Sequence, residues 1–402
     1  MKVLIAEKFE KVGVDGLKEL GCDVVHNPDV SAEELPAMIS ALDPDVLIVR
    51  GKKVTAEAIK AGTRLSLVVR AGAGVDSIDV KAASSLGVFV ANCPGKNSIA
   101  VAELVIGLMC SCDRRIPDQT ASLRAGKWNK KEFSKARGLY GRTLGVVGLG
   151  QIGREIVTRA HALGMKVVAW SRSLTIEQAE AMGVGYCADP IEVARLSDVV
   201  SISVAANTDT KNLVDAAFLA AMKPGAYLIN TSRGSVVDEA ALLKAIETKG
   251  IRCGLDVFQN EPGTPVSEFN STLARHEGVY GTHHIGASTD EAQIAVAHEV
   301  IRIMNCYIDS GEVPNCVNRL ARSNATHVLS VRHRNRPGVL SHVFKVLADE
   351  AINVEEVENI IYHGAEATCA KVHLDGCPKD AAIERIRSGN DSIISVSLAI
   401  IE

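Results

Sequence analysis

Short apolar runs, each about one strand long, recur from the start of the chain. "KVLIA" (2–6), "CDVV" (22–25), "DVLIV" (45–49), "LSLVV" (65–69) and "GVFVA" (87–91) carry Val, Ile and Leu on both faces instead of every second position. Strands of that kind need cover on both sides, and stretches with helical spacing such as "AEELPAMISAL" (32–42) stand between them. The alternation predicts a parallel sheet with helices on each face. A longer helical pattern runs from Ser98 to about Ile116 and leaves this unit. A second alternation opens at "TLGVVGLG" (143–150). It continues through "KVVAW" (166–170), "DVVSISV" (198–204), "AYLINTS" (226–232), "CGLDVF" (253–258) and "GVYGT" (278–282). The reading is α/β, with two doubly wound parallel-sheet units of Rossmann or flavodoxin-like type in series.

Beyond Arg319 the pattern changes. "THVLSVRHR" (326–334) reads as a strand, and "PGVLSHVFKVLADE" (337–350) as a helix with Pro337 near its first turn, where a missing N–H costs little. "NVEEVENIIYHG" (353–364) and "EATCAKVHLD" (366–375) alternate with period two around His363-Gly364 and predict a hairpin. "KDAAIERIRSG" (379–389) reads as a helix and "SIISVSLAII" (392–401) as a last strand. That βαββαβ order is the ferredoxin-like arrangement. The expected division is one domain over 1–98 and 287–320, a second over 99–286, and a third over 325–402.

Composition narrows the function without naming it. At 402 residues the chain is too long for one ordinary core. Its 47% hydrophobic and 23% charged residues suit a soluble globular protein, and a net charge of −4 gives no global reason to expect nucleic acid. The N-terminal strand is broken by Lys2, Glu7 and Lys8, unlike a signal peptide. "VAELVIGLMCSC" (101–112) contains Glu103 and is too short to span a bilayer. Neither nucleic acid nor membrane is an expected partner, and the expected location is cytoplasmic. The ten cysteines form no CxxC pair, and Cys110 and Cys112 lack the neighbours of a metal site. Free thiols and no metal are expected.

The first chemical signal is "GVVGLGQIG", with Gly148, Gly150 and Gly153 in G-x-G-x-x-G spacing. Many glycine-rich turns match that pattern, but here it follows an apolar strand and opens the helical stretch "QIGREIVTRAHALG", the context a dinucleotide site requires. Gly148 permits the tight turn, Gly150 lets the backbone approach a pyrophosphate, and Gly153 lets helix and strand pack closely. The expected cofactor is NAD. An NAD site usually places a carboxylate about 20 residues further on. This chain has "AWSRS" instead, so Ser171 and Arg172 stand at the strand end and NADP stays open.

Three polar groups follow successive strands of the second unit: Arg233 after "AYLINTS", Glu261 after "CGLDVFQN", and His283-His284 after "GVYGT". Singly, each has a bland reading as a turn cap or loop surface. Jointly they converge where ligands sit in open α/β sheets. Adjacent residues of an extended segment point opposite ways, so only one histidine is expected to face the cleft.

"LGVVGLGQIGREI", "LINTSRGSVVDEAAL", "GLDVFQNEP" and "HIGASTDEAQ" together resemble the D-isomer-specific 2-hydroxyacid dehydrogenases, in order and over about residues 40 to 320. The last stretch is most similar to the branch that oxidises D-3-phosphoglycerate. The resemblance implies that Arg233 holds the substrate carboxylate, that Glu261 orients the imidazole, and that His284 is the acid/base. His283 takes the place where the family usually has Pro. A histidine's unperturbed pKa near 6.5 suits proton transfer in both directions. The resemblance extends the cofactor set to Gln151, Ile152, Val204, Thr231, Asp256 and Gly286. It makes 1–98 with 287–320 the substrate-binding domain and 99–286 the nucleotide-binding one. Arg50, Arg70, Ala73, Gly74 and Asn97 become substrate-binding residues, and Lys130 lies near where the family reaches across a dimer. Gly51 for the usual Ser, Ser77 for Asn, and "SVAA" (203–206) for His-Val-Pro-Leu are departures.

The tail resembles an ACT domain, a module that binds small amino acids between paired copies. On "VRHRNRPGVL" and "INVEEV", His333, Asn335 and Asn353 fall at effector positions, and Ala351 replaces a usual Gly. An L-serine effector and a homo-oligomer follow from the likeness. Three functions are weighed: oxidation of D-3-phosphoglycerate under serine feedback, reduction of hydroxypyruvate or glyoxylate, and a nucleotide-sensing binding protein on a dehydrogenase scaffold. "AWSRS" supports the second, "HIGASTDEAQ" and the tail favour the first, and the Arg, Glu and His set with the tail argues against the third.

Overall fold

The structure is a computed structural model that describes residues 1–262, 266–320 and 322–401. The chain divides into two compact units, Met1–Asn318 and Arg319–Glu402.

The first unit contains both parallel sheets. Strands β1 (Lys2–Ile5), β2 (Asp23–His26), β3 (Val46–Val49), β4 (Leu67–Arg70) and β5 (Phe89–Asn92) run in the order β2-β1-β3-β4-β5, the flavodoxin-like arrangement. Val46, Leu47, Ile48 and Val49 are all buried, as strands sandwiched between helices must be. The second sheet comprises β6 (Thr143–Val147), β7 (Lys166–Trp170), β8 (Gly185–Tyr186), β9 (Val199–Ile202), β10 (Tyr227–Asn230), β11 (Arg252–Leu255) and β12 (Val279–Gly281). Its order is β12-β11-β10-β9-β6-β7-β8, so the direction of winding reverses between β6 and β9. In this doubly wound topology that reversal opens a crevice at the strand carboxyl ends.

Two long helices position the crevice. Helix Ser98–Arg114 buries Ala102, Val105, Leu108, Met109 and Cys112, one stripe at helical spacing, against the second sheet's core. Helix Asp290–Ser310 starts at Thr289, whose side chain accepts from Ala292 N–H, and ends at Gly311 with φ +74. It carries the chain back to the first sheet, where Val300, Ile303 and Met304 pack with Val3, Ile5 and Val69. Among the described residues, no helix is long and apolar enough to cross a membrane.

The second unit is one antiparallel sheet, β13 (His327–Arg334), β14 (Val354–Ile361), β15 (Ala367–Leu374) and β16 (Ile393–Ile400), in the order β14-β15-β13-β16. Helices Val339–Asp349 and Asp380–Ser388 contribute Val343, Val346, Leu347, Ala382 and Ile386 to its core, opposite Leu329, Val331, Ala370 and Val372. This is the expected βαββαβ order. Pro337 stands just before the N-cap Gly338, which has φ +88, so it lies beside the first turn. Ala351 has φ +56, the left-handed conformation that favours glycine.

Glu299 is a charged group inside the first unit that the apolar pattern hides. Only 6% exposed, its side chain is held by Arg302 at 2.6 Å, Lys96 at 3.3 Å and Asn315 at 2.7 Å. The hydrogen bond from Arg302, with those from Asn315 and Lys96, outweighs burial and draws the carboxyl down to about 2. Since the folded value lies below the unfolded one, the stabilisation is complete above the ordinary carboxylate range and is lost as pH falls toward about 2. Glu299→Gln is expected to cost roughly 3 kcal/mol at neutral pH. The melting temperatures of the two proteins, followed from neutral to strongly acidic pH, should converge on acidification; parallel curves would refute the assignment.

Candidate active site

The glycine-rich turn behaves as its three positions require. Gly148 follows β6 with φ +99, and a Cβ there would lie 2.5 Å from the Ser203 carbonyl oxygen. Gly153 rests against Gly148, with only 2.3 Å between a would-be Cβ and that carbonyl oxygen. Gly150 caps helix Gln151–Ala162, and nothing lies within 4 Å of its missing Cβ. Two glycines therefore close the turn while the third keeps open the approach to the helix N-terminus, which is the fit a pyrophosphate needs. Ile152 is half-buried behind this turn and Gln151 is exposed, its side chain lying over Gly95. Ser171 and Arg172 follow β7, the latter exposed. Val204 and Thr231 follow β9 and β10 and remain partly accessible.

The histidine question has a geometric answer. His284 Nδ1 lies 2.6 Å from Glu261 Oε2, and the other Glu261 oxygen accepts from Phe258 N–H at 2.9 Å. Burial works to raise the Glu261 carboxyl. The hydrogen bonds from His284 and Phe258 and the charges of His284 and Arg233 outweigh it, so the group is held below the ordinary value. With Nδ1 engaged, Nε2 is the ring nitrogen left for a reacting group.

The expected extended segment is corrected. His284 has φ +55, so the chain bends at the second histidine instead of running straight through both. Asp256 enforces the bend. Its carbonyl accepts from His284 N–H, Oδ1 accepts from Thr282 Oγ1 and Ile285 N–H, and Oδ2 accepts from Gly286 N–H, at 2.6 to 2.9 Å. Only 1% exposed, with both oxygens engaged, Asp256 grips the histidine loop. Gly286 is buried under the same grip.

Arg233 is reached from a neighbouring loop. Asn230, at the end of β10, donates to the Arg233 carbonyl at 3.0 Å and accepts from Ser232, shaping the turn between them. Arg233 Nε and Nη2 donate to the two oxygens of Asp76 at 3.1 and 3.0 Å, and Nη1 donates to the Ser232 carbonyl at 2.7 Å. The loops bearing Arg233 and Glu261 interlock. A Cβ on Gly234 would lie 2.0 to 2.4 Å from backbone atoms of Phe258 and Gln259, while Gln259 N–H donates to Glu239 and its side chain to the Val237 carbonyl.

The first sheet presents the other wall. Arg70 ends β4 with its Nε buried and without a partner among the described residues. Burial and then the neighbouring Arg233 pull this guanidinium below its ordinary value; Asp76 opposes the shift and Arg50 adds to it. Arg233 and Arg50 thus both act on the Arg70 charge, and Asp76 opposes them. Arg50 Nη2 reaches Ser288 Oγ at 3.4 Å, close to the histidine loop. Its backbone N–H, with those of Gly51 and Lys52, donates to Glu7 Oε2 at 2.5 to 2.8 Å, so that nest is filled from within. The N–H groups of Ala73 and Gly74 have no acceptor among the described residues, as an anion cradle requires. Asn97 caps helix Ser98–Arg114 with its Oδ1 buried and unpartnered.

Lys130 is not brought to this cluster by any described contact. It stands on helix Lys130–Phe133, in which no residue is buried. In the second unit, His333 is buried with Nε2 lacking a partner, whereas Asn335 and Asn353 are exposed and no described contact joins the three. The sequence reading missed Asp76, Glu7 and Gly234. Asp76 sits in "GAGVDSID" directly after the glycine loop, which is the one local hint.

Residues 106–286 match the family model of the D-isomer specific 2-hydroxyacid dehydrogenase NAD binding domain, and 329–374 match an AHAS small subunit-like ACT domain. A hydroxypyruvate reductase of Thermotoga maritima is 40% identical over 279 residues, 69% of this chain and 88% of that protein. The chain belongs to the D-isomer specific 2-hydroxyacid dehydrogenases. A D-3-phosphoglycerate dehydrogenase of Methanocaldococcus jannaschii is 39% identical over 310 residues, 76% of this chain and 57% of that one. The chain thus spans little more than half the length of such relatives. The NAD+-bound 3-phosphoglycerate dehydrogenase of Entamoeba histolytica superposes with a TM-score of 0.66 at 27% identity, covering 80% of this chain and 99% of that one.

The interlock of the two loops is testable. Gly234→Ala should lower the melting temperature and abolish most turnover, because the clash is with backbone that has nowhere to go. A Gly234→Ala protein with native stability and rate would show that the loops move independently.

Proposed function

We propose that this chain oxidises D-3-phosphoglycerate at its 2-hydroxyl with NAD, under feedback by L-serine at the ACT unit. The observation that carries the reading is the His284–Glu261 contact of 2.6 Å in a first unit that also gathers Arg233, Arg70 and Arg50. Such an excess of positive charge suits an acid bearing a carboxylate and a phosphate better than a simple monocarboxylate.

A bound nicotinamide supplies the hydride acceptor. Arg233 and the free N–H groups of Ala73 and Gly74 hold the substrate carboxylate, with Asn97 beside them. His284 Nε2 accepts the hydroxyl proton as hydride leaves C2. Glu261 takes the Nδ1–H, fixes the tautomer and stabilises the imidazolium, as a carboxylate does in other triads. Arg50 and Arg70 face the phosphate end. Gly148, Gly150 and Gly153 hold the pyrophosphate, with Gln151, Ile152, Val204 and Thr231 lining the nucleotide. Lys130, on its exposed helix, is assigned to a second copy's substrate in a homo-oligomer. His333, Asn335 and Asn353 bind the effector, and the orphan Nε2 of His333 is the buried group that calls for a ligand.

A second reading, hydroxypyruvate reduction with NADP, is favoured by Ser171-Arg172 where an NAD site has an acid. The two are separated by following NADH or NADPH formation from D-3-phosphoglycerate, and the reverse reaction with hydroxypyruvate, with and without L-serine. Activity without serine sensitivity removes the effector assignment alone. Inactivity toward every 2-hydroxy acid removes the enzyme. His284→Ala should lower kcat by roughly 10²–10⁴, the usual share of general acid–base catalysis, while His283→Ala leaves it nearly unchanged. Equal losses would overturn the choice of histidine.

A further inference from the structure

The five N–H donors of a guanidinium can all be followed at Arg233. Nε and one hydrogen of Nη2 go to Asp76, and one hydrogen of Nη1 goes to the Ser232 carbonyl. One N–H therefore remains on each Nη, a pair suited to the two oxygens of a carboxylate. Asp76 comes from the loop after β4 of the first sheet and Arg233 from the loop after β10 of the second, 157 positions apart. Gly74 makes the approach possible, since a Cβ there would lie 2.5 Å from Arg233 Nη2 and 2.7 Å from Asp76 Oδ1.

We propose that Asp76 is a positioning residue for substrate recognition: it grips Arg233 side-on from across the cleft and so aims the two free N–H groups at the substrate carboxylate. The inference rests on the reading of Arg233 given above and adds a residue to it. Without Asp76, Arg233 meets the half-buried Arg70 uncompensated, and repulsion drives its side chain out of line. The same hydrogen bonds from Arg233 hold the Asp76 carboxyl below its ordinary value, so the grip persists throughout the neutral range. Arg233 contacts the carboxylate in ground and transition states alike. Loss of its aim therefore falls on KM more than on kcat.

Asp76→Asn keeps the size of the side chain and, because Asp76 is exposed and Arg70 only half-buried, should lower the melting temperature only slightly. KM for D-3-phosphoglycerate is expected to rise about tenfold, with kcat within about threefold. Lys cannot accept the side-on grip, so in an Arg233→Lys background the further change Asp76→Asn should cost less than about twofold. Unchanged KM, a lowered KM (Asp76 acting as a competitor for the fork), or fully additive losses would each overturn the assignment. Calorimetric titration of the NADH-loaded chain with D-3-phosphoglycerate separates the two levels of the argument. Equal binding by wild type and Asp76→Asn removes the role of Asp76 alone, whereas a wild type that binds and turns over no 2-hydroxy acid removes the reaction itself.

Discussion

The left-handed backbone at His284 is the constraint on which the site depends. A residue with a side chain costs about 1–2 kcal/mol in that conformation, and histidine, though it enters it more often than most, still needs compensation. Asp256 supplies the compensation with its carbonyl and both carboxylate oxygens, all turned to the loop 282–286. The bend sets the imidazole against Glu261, and Glu261 is itself fixed by Phe258 N–H. Because Phe258 and Gln259 sit against Gly234, the acid/base loop and the arginine loop are one packed piece. A shift in either is felt by both.

Charge is arranged on the same principle of mutual dependence. Arg70 ends a buried strand and loses hydration without gaining a full set of hydrogen bonds. A half-buried cation of this kind is favoured beside an anion. Asp76 acts on it and is shared with Arg233. Glu7, the other acid nearby, is directed at the backbone behind Arg50 and leaves that guanidinium uncancelled. The site holds more positive charge than it neutralises.

The sheets were legible because fully apolar strands separated by helical spacing have few other solutions, and strand ends then place Arg233, Glu261 and the histidines together. The glycines of the turn were legible for a similar reason: each spacing maps onto one steric need. The bend at His284 was not, since "THHIG" holds no glycine at that position and the hydrogen bonds that impose it come from residue 256. The grip of Asp256 on the loop 282–286 was not legible either, because its donors lie 26 to 30 positions away. Asp76 and Glu7 escaped because their partners lie 157 and 43 to 45 positions away, beyond any local pattern. Pro337 marked the helix start to within two residues, while the glycine after it takes the cap in a left-handed turn.

The second unit shows the same tension between packing and function. In β13 the inward positions are Leu329, Val331 and then His333, a polar residue where the alternation calls for an apolar one. Its Nδ1 lies 2.8 Å from the Arg334 carbonyl oxygen, beside an irregularity in the pairing with β16, and Nε2 is left without a partner. A buried polar atom in that state costs about 1–3 kcal/mol, which a valine or leucine would avoid. Position 351 adds a left-handed alanine just before β14. A small sheet with a modest core does not need either feature to fold. Both features sit at strand ends, one in β13 and one before β14, and the packing of the sheet accounts for neither.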